Sequence, residues 1–422
     1  MKKKLLVGLL SMLMVLMMMP TTVFAGEEVT TEQAFKDKWN DTTSTVITLG
    51  ADIELDSMLT LGSKNMTVIL NGHKLSGLSG GNVLKVIGDK TLTIDGTVDN
   101  SEVYGRLNVG DATDNNGNLV ISGGKYVCQE GNTCLHVNGT CTNCSVTITN
   151  ATLTSPDDNA IQFNGKGVYK LTNTEVTGKT GIYIKAGEVT LDNCTVKGNG
   201  AKDGTVIVNY NGSNPTGDAI VLDTTSDYQG NIKLILKNQT EVVSVHNSGI
   251  QEAVTDSNVS AVLLIQVDNS DVYGDESALK TGDKFNKDNA DIKSGYFSSD
   301  VKDYLDENGF EIEGEDEHYI VGDTAKKVLA NATKGKKFTV VVAPEGAKLD
   351  NVAEGVEVKN GTNHEIVVNG TKVATGKTIV APKVVSPNTA DGEIYMMLYV
   401  FAGFLALMGI VVMSLKRRQE VR

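Results

Sequence analysis

One pattern recurs through the middle of the chain and restricts the fold more than any other feature: apolar, any, apolar, any, Asn, any, any, apolar. It runs through Val146, Ile148, Asn150 and Leu153, and returns at Tyr169, Leu171, Asn173 and Val176. It returns again at Val189, Leu191, Asn193 and Val196, and at Ile265, Val267, Asn269 and Val272. A version one residue longer starts at Leu234 and passes through Leu236 and Asn238 to Val242. The first three Asn are 23 and 20 residues apart, and the next gap is 45. That long gap fits two units, or one unit with a Gly/Asn-rich insertion near 198–217. A self-similar period of this length is the mark of a solenoid.

Alternation within each unit predicts a strand with one buried face. Further short strands are expected at 160–163, 181–184, 219–222 and 278–279, with Gly, Asn, Asp and Thr in the turns between them. Strands this short bury their apolar face only by stacking coil on coil. The expected fold is therefore all-β, a right-handed parallel β-helix over 46–322. A string of immunoglobulin-like sandwiches is the second choice, because it needs hairpins at closer spacing and no Asn register. An Asn repeated at a turn is placed to form a ladder of amide hydrogen bonds along the stack.

Residues 26–45 are expected to form an N-terminal capping helix. Thr30, Thr31, Glu32 and Gln33 make a capping-box pattern, and Phe35 and Trp39 fall on one helical face. Residues 323–381 differ in character and predict a small β module or stalk, with Asn369-Gly370 as a hairpin turn.

The two ends read as addresses. Lys2, Lys3 and Lys4 precede an uncharged run from Leu5 to Met19, and small residues precede Gly26, so residues 1–25 read as a signal peptide cleaved between Ala25 and Gly26. Residues 394–415 are 22 without a charge, long enough for a transmembrane helix, and residues 416–422 form a basic cytoplasmic tail starting with Lys416, Arg417 and Arg418. Residues 382–393 form an extended linker containing Ser386, Pro387, Asn388, Thr389 and Ala390.

The order of a Pro-x-Thr pentapeptide, an apolar span and a basic tail resembles the cell-wall sorting signal of Gram-positive surface proteins. The resemblance implies that a membrane sortase attacks the Thr389 carbonyl with a cysteine thiolate. A peptidoglycan precursor amine then resolves the acyl-enzyme. Ser386 stands where that family usually has Leu, and Ala390 where it usually has Gly. The segment 68–75 resembles the first full coil of secreted bacterial β-helix proteins of the pectate-lyase-like class. The segment 292–305 resembles one that closes such helices in surface proteins of gut Firmicutes, which implies a last strand, a short capping helix and an edge strand at 318–321.

Many β-helices act on polysaccharides. Asp157 and Asp158, in the turn Ser155–Ile161, look like the paired-aspartate turn of polygalacturonase-type glycoside hydrolases, where two carboxylates serve as acid and base. The His expected one coil later is missing, and Arg106, the only arginine between residues 26 and 389, lacks the company a lyase base has. A solvated acidic turn is the ordinary alternative. Cys128, Cys134, Cys141 and Cys144 lie within 17 residues and are open to two disulfides stapling adjacent coils, to free thiols, or to a Cys₄ Zn²⁺ site. Cys194 occupies a small packed position. The acidic turns offer a Ca²⁺ site only weakly, since no EF-hand-type loop is present; no cofactor is expected.

Residues 26–389 carry 31 Lys/Arg against 49 Asp/Glu, a net charge of −18, which excludes nucleic acid as a partner. The expectation is a cell-surface protein, anchored in the membrane before sorting and in the wall after it. Its leading role is a non-catalytic adhesin that binds glycan or protein, with a host or dietary glycan or mucin as partner. A wall-displayed polysaccharide-degrading hydrolase or lyase is the alternative, and a structural spacer the third. Outward aromatics at Tyr126, Tyr183 and Tyr210 would favour stacking on sugar rings.

Overall fold

The computed structural model describes residues 27–112, 116–129, 131–201, 216–224, 231–254, 261–282, 284–285, 287–316 and 318–384. Residues 1–25, expected as a signal peptide, Tyr210, the pentapeptide Ser386–Ala390, the apolar span and the basic tail lie outside the described residues. Among the described residues no helix is long and apolar enough to cross a membrane. The chain divides into two compact units, a larger one running to Ala325 and including Val341–Pro344, and a smaller one of Lys326–Val340 with the residues from Glu345 on.

The larger unit is a parallel β-helix. Each coil contributes one strand to each of three sheets. The first sheet runs from Val46–Thr48 to Ala290–Ile292, the second from Ile53–Leu55 to Ser294–Phe297, and the third from Leu59–Leu61 to Leu279–Lys280. Register explains why short strands suffice. In the third sheet Leu59, Leu84, Leu107, Leu135, Ile161, Ile182, Ile220, Ile250 and Leu279 fall in one inward column. All but Leu59 are buried. Each such side chain contributes roughly 1.5–3 kcal/mol by leaving water, so a coil gains stability only once a neighbour covers it. The strands at 189–191 and 234–236 pair directly, so the 45-residue gap is one coil with a long insertion.

The repeated Asn sits one position past the first-sheet strand, where the chain turns toward the second sheet. Asn150, Asn173, Asn193, Asn238 and Asn269 all have φ between 48° and 56°, a left-handed conformation that Asn tolerates better than most residues. Their side chains form the expected ladder over three coils. Asn193 Nδ2 donates to Asn173 Oδ1 at 2.8 Å, and Asn173 Nδ2 to Asn150 Oδ1 at 3.1 Å. The ladder stops at the longer repeat. There Gln239 is a second left-handed residue, and Asn238 Nδ2 donates to Asp192 Oδ1 instead.

Both ends of the helix are closed. Helix α1 (Glu32–Asn40) buries Phe35 and Trp39, whose rings stack at 5.9 Å. Its N-cap is Thr31, whose Oγ1 accepts from Ala34 N at 3.2 Å. The capping box read at Thr30 and Gln33 does not form; Gln33 donates to Asp37 instead. At the far end the pairing changes from parallel to antiparallel, with Tyr319–Val321 against Ser294–Phe297 and Glu311–Glu313 against Tyr319–Val321. Near that end an inward column closes on a carboxylate. Glu252 pairs with Leu222 in register and accepts hydrogen bonds from the backbone of Gly282, Lys284 and Phe285 at 2.8–2.9 Å. Glu311, fully buried in the cap, has its pKa pushed up to about 8, chiefly by desolvation.

The smaller unit has a parallel pair, Lys337–Val340 with Glu357–Asn360, joined antiparallel by Thr378–Val380. Its second sheet contains the hairpin Ile366–Val368 and Thr371–Val373, turned by Asn369 (φ 46°) and Gly370 (φ 80°). The β-only reading of 323–381 missed helix α2 (Gly322–Asn331), whose apolar positions Ala325 and Leu329 are four apart and buried.

Candidate functional site

The outward face of the third sheet carries a continuous set of polar side chains. Asn108, His136, Gln162 and Tyr183 occupy one outward row, one residue per coil. The next outward positions hold Asn164, Lys185 and Asp223. The row begins at Asn108 and His136, which are mostly enclosed but keep some exposure, and becomes fully shielded at Gln162 and Tyr183.

The shielded part is organised as a charge pair and an amide chain. Tyr183 Oη donates to Asp223 Oδ2 at 2.8 Å, and Lys185 Nζ lies 3.6 Å from the same oxygen, with both charged side chains at most 2% exposed. Removing either charge alone would leave the other without this neutralising charge in a low-dielectric site. Gln162 Nε2 donates to Asn164 Oδ1 at 3.1 Å, and Asn164 Nδ2 lies 3.3 Å from His136 Nε2. Because the amide donates, Nε2 accepts and the imidazole is neutral. Burial, helped by the nearby Arg106 charge, lowers the His136 pKa to about 4, which agrees with that assignment.

Arg106 donates through Nε to Thr133 O at 3.2 Å and through Nη2 to Asn132 Oδ1 at 3.0 Å. Burial lowers its pKa and the Asp158 carboxylate raises it. Asp158 is buried and folds back on its own turn: its N donates to Ser155 Oγ, and its Oδ1 accepts from Asn159 N at 2.7 Å. Asp157 beside it is half-exposed. From the pairing of Asn159 with Thr180 and of Ile161 with Leu135, the positions level with Asp158 are Lys179 and Asn132. Among the described residues, the positions level with Asp158 hold no second carboxylate.

The aromatic positions fall differently from the sequence reading. Tyr126 is an inward residue of the second sheet, paired with Val103 and Leu153 and only 1% exposed. Tyr183 points outward but is buried against Asp223. Neither offers a ring to solvent. A half-exposed aromatic lies near the closing strands, where Tyr273 meets His318 edge-on at 5.6 Å. The outward members Gln162 and Tyr183 are visible in the alternation of their strands. Asp223 is not, because its pairing depends on register across the insertion.

The four clustered cysteines form two disulfides, Cys128–Cys134 and Cys141–Cys144. They do not staple adjacent coils. Each closes a corner, and together they bracket the three-residue strand Leu135–Val137 that carries His136. Cys194 is a buried free thiol, its pKa pushed up by burial. Among the described residues no group of three or more metal-ligating side chains comes together. Closing loops this short constrains the unfolded chain by roughly 2 kcal/mol per disulfide. The double variant Cys128→Ala/Cys134→Ala is therefore expected to lower the urea midpoint by that equivalent, with no further drop for this pair on adding reductant. An unchanged midpoint would remove this disulfide from the stability account.

Comparison with protein-family models, with curated proteins and with solved structures gave no match, so the functional reading rests on sequence pattern and geometry.

Proposed function

We propose that this chain is a wall-anchored surface protein whose right-handed β-helix binds glycan or protein without transforming it. The leader at 1–25, the pentapeptide around Thr389 and the apolar span at 394–415 supply export, sortase attachment and membrane retention before sorting. The observation that carries the non-catalytic reading is the surroundings of Asp157 and Asp158. Glycoside hydrolysis needs two carboxylates flanking the bond to be cut. Here Asp158 is held by its own turn, and the neighbouring coils place Asn132 and Lys179 at its level. In the outward row of the third sheet the partly exposed Asn108 and His136 offer an amide and an imidazole for hydrogen bonding to a polar partner.

The test is reducing-end release by the full chain across a panel of plant and host polysaccharides, run beside glycan-binding measurements on the same panel. Binding without release is expected. Reproducible release that disappears in Asp157→Asn/Asp158→Asn would overturn the proposal and make the protein a wall-displayed hydrolase.

A further inference from the structure

The Asn ladder has an open end at Asn150, which is exposed and borders a broad cavity open to solvent. Asn150 accepts from Asn173, but the coil before it offers no side chain to continue the ladder. One position past the Ser122–Thr149 pair stands Gly123, which pairs in turn with Gly96. These glycines are required by close backbone approach. A Cβ on Gly96 would fall 2.8 Å from Gly124 Cα, and one on Gly123 would fall 2.9 Å from Gly96 O. Two coils therefore have bare backbone where the next three have Asn.

Above that bare backbone is a cavity of about 770 Å³, lined by Gly96, Gly123 and Gly124, by the connection from Thr97 to Ser101, and by Asn150. In the ladder each Nδ2 points toward the preceding coil. The same orientation carries the Asn150 amide toward the Gly123 coil, and among the described residues its Nδ2 has no protein acceptor. Hydrogen-bonded amides polarise one another along a chain, so this terminal N–H, on a side chain exposed to solvent, is a donor open to a ligand at the cavity's edge. The volume is in the range that holds a small ligand.

We infer that this cavity binds a saccharide bearing an acetamido group, whose carboxamide takes the vacant rung below Asn150. Its carbonyl accepts from Asn150 Nδ2, as Asn173 donates to Asn150 one rung above. The rest of the lining suits a sugar. Asp99 supplies a carboxylate acceptor for ring hydroxyls, Glu102 one that is already paired with Lys74 at 3.0 Å, Thr152 a hydroxyl, and Val98, 47% exposed, an aliphatic surface for ring carbons. A peptide amide side chain would meet the same rung, but it would leave the Asp99 carboxylate unused. The inference rests on the glycan-binding reading above and names its site and ligand class.

The full chain in detergent would be titrated calorimetrically with the trisaccharide of N-acetylglucosamine and with cellotriose, which is also neutral and carries hydroxyls in place of the acetamido groups. The acetamido sugar is expected to bind at least about tenfold more tightly. Asn150→Asp keeps the acceptor for Asn173 and the left-handed backbone but removes the donor, and should abolish that preference. Asn193→Asp breaks the ladder two coils away and should leave binding within about twofold, which separates lost recognition from lost folding. Equal binding of the two sugars, an unchanged Asn150→Asp variant, or preference for an asparagine peptide over the sugar would overturn this site while leaving glycan binding elsewhere intact. Failure of the wild-type chain to bind any saccharide would overturn both readings.

Discussion

Replacing Phe163 by alanine is expected to cost about 3–5 kcal/mol of unfolding free energy, one of the largest losses available to a single substitution in this chain. Phe163 is an inward residue of the third sheet, in register with Val137 and Ile184. Its ring lies parallel to that of Tyr169 from the first sheet, with centroids 4.1 Å apart and planes within 2°. Both rings are fully buried. A tyrosine is tolerated there because its hydroxyl donates to Gly165 O at 2.6 Å, so no polar group is stranded. The surrounding glycines make the room: a Cβ on Gly167 would come within 2.7 Å of the Tyr169 hydroxyl, and one on Gly187 within 2.7 Å of its ring. This pocket is shaped to one ring pair and has little freedom to collapse onto a void. Urea unfolding of the variant measures the loss. Val168→Ala, at a position 44% exposed, is the control and should change stability by no more than about 0.5 kcal/mol. A Phe163→Ala cost no larger than the control would mean that the stack does not bind the two sheets together.

The same pair shows how far the sequence reading reached. Tyr169 opens one of the repeats, so its inward direction follows from alternation alone. That Phe163 would meet it does not, because the contact joins two sheets across a corner whose angle no linear pattern encodes. The Asn register was legible because a left-handed turn selects one residue type and repeats it each coil. Its interruption at Asn238 was visible as one extra residue. The buried set of Tyr183, Lys185 and Asp223 was not legible as a set. Tyr183 lies in the strand Thr180–Ile184 and Lys185 just past its end, while Asp223 sits on the strand that pairs with it only once the insertion near 198–217 is counted as part of a single coil. Tyr126 was misplaced for a related reason. An aromatic in a three-residue strand has too few neighbours to reveal which face is buried, and register with Val103 and Leu153 decides it. Helix α2 was missed because its Lys-rich sequence hides a short apolar stripe of two residues, Ala325 and Leu329.

Deleting Ser386–Ala390 is expected to abolish covalent attachment to peptidoglycan while leaving the protein on the cell. The two effects have different physical origins. Attachment requires a scissile carbonyl presented in an extended segment, and on the resemblance to sorting signals that carbonyl belongs to Thr389. On the proposed reading, retention before sorting requires only the 22 uncharged residues from Ile394 to Leu415 and the basic stop at Lys416, Arg417 and Arg418, a pattern that opposes passage through a membrane. Wild-type chain should appear in the murein fraction and be released by a muramidase, bearing wall fragments. The deletion variant should appear wholly in the detergent-soluble membrane fraction, with a mass that includes the apolar span. Thr389→Ala tests the recognition step more finely, since it keeps a carbonyl at the same place and removes only the side chain. Murein-linked material at wild-type level after the deletion would exclude Thr389–Ala390 as the bond that is cut. Deletion protein found in the medium would instead show that the apolar span does not hold the chain in the membrane.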